Sequence, residues 1–151
     1  MRRNTLFERR LRDDSGNSLL EIALVLPVLL LILVAAADFG RAYFVSIQLA
    51  SATQAGALYG TQTPTDLTGI VNAANSNAIG VTGVTTTATF GCECSDGTNA
   101  VAACTAGPTC TYNVLNYVDV VSTATYRPIL RYPGIPSTMT LRSRARIRSA
   151  Q

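Results

Sequence analysis

The sequence predicts an α+β protein: a long N-terminal transmembrane helix that continues into an amphipathic stalk, followed by a small three-stranded antiparallel sheet domain. Three observations lead there. An apolar run occupies Leu19 to Ala37, threonine and valine take over at period two from about Val81, and four cysteines cluster between positions 92 and 110. The length of 151 residues allows one modest domain, and with 48% hydrophobic but only 14% charged residues the apolar ones must be concentrated somewhere. All twelve basic residues are arginines, and nine acids leave a net charge of +3, too small and too scattered for an electrostatic grip on nucleic acid. Histidine is absent, which removes Ser-His-Asp triads, Cys-His dyads and histidine-bearing metal sites together. No catalytic residue, cofactor, metal or small-molecule substrate is therefore expected.

The run LLEIALVLPVLLLILVAAA carries one charge, Glu21, and one helix breaker, Pro27. At ~1.5 Å per residue it covers ~28 Å, close to the ~30 Å of a bilayer's hydrocarbon. A soluble core helix would show a polar stripe, and this run has none. Arg2, Arg3, Arg9, Arg10 and Arg12 precede it and only Arg41 follows closely, so the N-terminus is expected in the cytoplasm and the chain beyond about residue 40 outside that membrane. Phe39, Tyr43 and Phe44 suit either an interfacial aromatic belt or ordinary helix packing. A secretory signal peptide cut after Ala35-Ala36-Ala37 is the rival reading; the long leucine-rich core and the internal Glu21 stand against it.

A carboxylate inside an apolar stretch costs a few kcal/mol, so Glu21 either sits at headgroup depth or has a partner. Gly16 stands five residues ahead of it and offers a protease an unhindered bond between a polar leader and a helix. Cleavage of Gly16-Asn17 would make Glu21 the fifth residue of the mature chain and create an α-ammonium at Asn17. That amine on an adjacent subunit would pair with Glu21, making the charge a device for axial register more than a source of net stability. Pro27 removes a backbone hydrogen bond and is expected to bend the helix.

Gly16 followed by Glu21 and a long apolar helix resembles the type IV prepilin signal, which a membrane prepilin peptidase cuts on the cytoplasmic face. The wording SLLEIALVLPVLLLILVAAADFGRAYF resembles the TadE-like proteins of the tight-adherence (Flp, type IVc) pilus system, with Glu21, Ala23 to Pro27 and Asp38 to Arg41 matching that family's pattern. Asn17 departs from the aromatic or methionine that begins most mature major pilins. The resemblance implies a minor pilin or pseudopilin of the bacterial inner membrane that takes part in pilus assembly and cell adhesion. Its partners would be the membrane, other pilin-like subunits, the assembly platform and the peptidase. The corresponding organisation is a cytoplasmic leader over 1–16, a transmembrane helix and stalk over 17–59, and a periplasmic domain over 60–151, which would stand outside the cell within a pilus. The alternative is a permanently anchored envelope protein whose periplasmic domain binds partners and never enters a fibre. An enzyme would require an acidic pair such as Asp96 and Asp119 to meet in a cleft.

Past the membrane, Phe39, Tyr43, Ile47, Ala50 and Ala57 share one helical face, and Gly60 is the expected stop. After the Thr61 to Thr65 break, Asp66 caps a short helix from Leu67 to about Ala78. Val84, Thr86, Ala88 and Phe90 alternate with threonines in a first strand, and Val118, Val120, Ala124 and Tyr126 alternate with polar residues in a second. In the last strand Met139, Leu141, Ala145 and Ile147 face one way and Arg142, Arg144, Arg146 and Arg148 the other. Pro128, Pro133, Gly134 and Pro136 mark the turn between these two. The arginine row reads either as a solvated sheet face or as an electropositive strip that docks acidic protein surfaces or anionic headgroups.

Cys92, Cys94, Cys104 and Cys110 form an even set in a Gly/Thr/Ala-rich segment on the exported side, which reads as two disulfides. Three pairings are open, Cys92 with Cys94 being the most strained. A four-thiolate zinc site lacks the paired C-x2-C spacing.

Overall fold

A computed structural model describes residues 15–102, 104–131 and 133–149. The expected leader lies outside the described residues except for its last two positions. The elements run α1 (Ser15–Gln62), α2 (Leu67–Asn77), β1 (Thr85–Cys94), β2 (Val101–Ala102), a 3-10 turn at Cys104–Ala106, β3 (Val114–Tyr126) and β4 (Met139–Ser149). The chain divides between Phe39 and Gly40 into two units.

In the first unit α1 passes through Pro27 as continuous helix. Its large apolar side chains, from Leu19 to Leu33, are all more than half exposed. Nothing among the described residues covers them, and the helix is long and apolar enough to cross a bilayer.

In the second unit the four strands form one antiparallel sheet in the order β2-β1-β3-β4. The expected three strands are thus corrected to four among the described residues. The addition, β2, pairs only Gly91 with Ala102 and Cys92 with Val101. Two residues in a Gly/Ala/Thr-rich stretch carry no alternation to betray them; the neighbouring Cys92–Cys104 bridge brings that segment back to β1.

The core lies between one sheet face and the two helices: Ala57, Ile70, Ala74, Val118 and Val120 are fully buried, with Ala88, Phe90, Ala145 and Ile147 packed around them. The face of α1 that meets the sheet is Leu49, Ala52, Thr53, Gly56, Ala57 and Gly60. This corrects the expected face: Ala57 belongs to it, whereas Phe39, Tyr43 and Ile47 are exposed. The cause is close approach. A Cβ on Gly60 would come within 2.8 Å of Val118 Cγ1, and one on Gly56 within 2.9 Å of Ala74 Cβ and 3.0 Å of the Ile70 carbonyl oxygen. Only small residues let the helix settle that near.

A row of hydroxyls crosses this core. Thr86, Ser122 and Ser143 sit side by side on the three long strands. Thr86 Oγ1 donates to Asn75 Oδ1 at 2.8 Å and lies 3.0 Å from Ser122 Oγ, while Ser143 Oγ is 2.8 Å from Thr53 Oγ1 of α1. Each polar group is thereby partnered, which removes the penalty of burying it. At its N-terminus α2 is capped as expected: Asp66 Oδ1 accepts from Gly69 N at 2.9 Å and Oδ2 from Tyr59 Oη at 3.0 Å. The orphan amide of the first turn is satisfied there.

Candidate assembly surfaces

The first surface is the apolar half of α1. Gly16 and Asn17 lie in its first turn, since the helix already begins at Ser15. Gly16 is therefore helical, and a Cβ there would meet no atom of the described residues within 4 Å. One turn on, Glu21 is exposed among Ser18, Ile22 and Val25, a lone carboxylate on an otherwise apolar flank. In lipid such a group favours pairing with a cation over remaining alone.

The second surface is the sheet face turned away from the helices. Strand alternation puts Arg142, Arg144, Arg146 and Arg148 there, together with Asp119 and Tyr117 of β3 and Glu93 of β1. The carboxylate of Asp119 accepts from Arg144 Nε at 2.8 and 3.0 Å, is gripped also by Arg144 Nη2, and takes a further bond from Arg146 Nη2 at 3.1 Å. Glu93 receives Arg146 Nη1 at 3.3 Å and Arg148 Nε at 2.7 Å. Three arginines and two buried acids thus alternate across the face, leaving one positive charge over, and Arg142 has no ion pair among the described residues. The Arg144 hydrogen bonds hold the Asp119 carboxyl below its ordinary range despite burial, and Asp119 in turn raises the Arg144 guanidinium. The guanidinium of Arg146 stacks 4.2 Å from the centre of the Tyr117 ring. That ring lies against Gly91, where a Cβ would come within 2.6 Å of it. The face the sequence shows as a row of four cations is therefore half neutralised in the fold, its four positive charges offset by two acids.

A third region is the braced loop. Cys92 and Cys94 are buried on β1, and their bonds run to Cys104 and Cys110 with Cα separations of 5.3 and 5.5 Å. The four thiols are thereby consumed, leaving none for zinc, and one of the three open pairings is selected. Asp96 sits in the turn after β1, where Thr98 N donates to Oδ1 at 2.9 Å and keeps its carboxyl below the usual range. Asp96 and Asp119 are thus held in separate hydrogen-bonded networks.

The sequence missed the two acidic partners of the arginine row and the Gly91–Tyr117 contact. The available signal was acids at alternate-face positions of neighbouring strands, but it becomes usable only once the register is known. Residues 16–58 match the family described as TadE-like protein. No curated protein and no solved structure matches the chain.

Proposed function

From the TadE-like segment at residues 16–58, we propose that this protein is a minor pilin or pseudopilin of a Tad-type pilus, processed at Gly16-Asn17 and acting by assembly and not by catalysis. The observation that carries the reading is the exposed apolar flank of α1 with Glu21 as its one acid, inside the segment that the family match covers. A helix able to cross a bilayer and present a single charge suits lateral packing against like helices, with Glu21 answering the Asn17 amine of a neighbour. The sheet domain, with its face charges mostly paired internally, stands on the exported side as the part that neighbours and the assembly platform contact.

The test is the fate of the chain in cells. Recovery of a mature form beginning at Asn17 in sheared surface filaments is the expected result. Strict retention in the membrane fraction with the arginine-rich leader intact would instead establish a permanently anchored protein.

A further inference from the structure

Within the second unit, the packing of α1 on the sheet runs in one direction. Ser149 Oγ donates to the Thr61 carbonyl at 3.4 Å, Thr53 meets Ser143 at 2.8 Å, and the Arg41 guanidinium lies 5.9 Å from the centre of the Tyr126 ring. Following α1 from Thr61 back to Arg41 therefore follows β4 toward Met139 and β3 toward Tyr126. The connection after Tyr126 continues past that end of the sheet. Arg41, whose side chain meets Tyr126, is four residues beyond Ala37, ~6 Å along the helix from the end of the apolar run.

The composition of the connection suits a lipid interface. Between Arg127 and Thr138 it contains two arginines and no acid. Its Ile129, Leu130 and Ile135 side chains are 55%, 42% and 49% exposed. Arg127 and Arg131 are exposed and have no ion pair among the described residues, in contrast to Arg144, Arg146 and Arg148. Aliphatic side chains flanked by unpaired arginines are the chemistry that seats at a headgroup boundary, with acyl chains taking the aliphatics and phosphates the guanidiniums.

We propose that the β3–β4 loop is a second membrane contact, dipping Ile129, Leu130 and Ile135 into the interface of a phospholipid bilayer while Arg127 and Arg131 bind its phosphates. It rests on the membrane-spanning part of the preceding reading and is independent of fibre formation. The contact would hold the sheet domain against the bilayer until the subunit leaves it.

The chain contains no tryptophan, so single reporters are clean. Full-length I129W and I135W would be reconstituted in phosphatidylethanolamine/phosphatidylglycerol vesicles, beside a Y112W control. Tyr112 is 72% exposed and precedes β3 at the end of that strand remote from Arg41. Blue-shifted emission and quenching by lipids brominated on the acyl chains are expected for the loop reporters and not for Y112W, with the shift reduced by R127Q/R131Q. Quenching of both loop reporters no greater than that of Y112W, in chain that resists carbonate extraction, overturns the loop contact and leaves the span standing. Release of the chain by carbonate would overturn the span and the loop contact together. The two loop positions guard against one substitution disturbing the hairpin.

Discussion

Asp119 is buried on the sheet face away from the helices, and Arg144 Nε reaches both of its carboxylate oxygens, at 2.8 and 3.0 Å. Because the folded pair favours the ionised acid, the carboxyl titrates below its unfolded value of about 3.8. A depressed pKa contributes stability that is present above the unfolded value and lost as pH falls through the folded one. Urea unfolding followed by circular dichroism should thus show little change between pH 7 and pH 5 and a decline below about pH 4. Asp119→Asn should be less stable at pH 7 by about 1–3 kcal/mol and lack most of that decline.

Gly56 and Gly60 seat α1 against α2 and β3. Alanine improves helix propensity by about 1 kcal/mol, but at these sites its methyl group meets atoms that cannot easily yield, a cost of about 1–3 kcal/mol. Gly56→Ala should come out destabilised, since one of its neighbours is the backbone oxygen of Ile70. Gly40→Ala, which meets nothing within 4 Å, should gain a few tenths to 1 kcal/mol. Thermal unfolding of the full chain in detergent distinguishes the two signs.

The bridges span 12 and 16 residues, worth about 3 kcal/mol each by loop closure. That matches the burial of one or two large core side chains at about 1.5–3 kcal/mol apiece, in a core whose only fully buried large aliphatics are Leu49, Ile70, Val118 and Val120 among the described residues. Reduction should therefore lower the unfolding midpoint in urea clearly. Peptide mapping without reduction should recover Cys92 with Cys104 and Cys94 with Cys110.

A Cβ on Gly16 meets no atom of the described residues within 4 Å, so Gly16→Leu is expected to leave the helix in place. Loss of maturation in that variant, read as a chain retaining residues 1–16 by intact mass, would report recognition by the peptidase and not misfolding. Normal processing would remove the prepilin reading.

The strands that alternate cleanly were legible in the sequence: Met139 to Ile147 against the four arginines gives β4 without help from the fold. Asp66 as a helix cap was legible for the same local reason. What escaped were features defined by two segments at once. The 3.6-residue period puts Phe39, Tyr43, Ile47, Ala50 and Ala57 on one face of α1, yet proximity to the sheet selects mainly glycine, alanine and threonine, keeping Ala57 and leaving Phe39, Tyr43 and Ile47 outside. Asp119 and Glu93 are 26 residues apart and become partners of one arginine, Arg146, only through the β1-β3-β4 register. The pairing of the cysteines likewise depends on where β2 returns to β1.

The two bridges interleave, because Cys94 lies inside the loop closed by Cys92 and Cys104 while its own partner lies beyond it. Any peptide bond between residues 95 and 103 is thus enclosed twice. A protease that clips the exposed stretch near Gly97 to Ala100 would release no fragment: the nicked molecule would migrate as a single species until a reductant is added, its two pieces tethered by both bridges.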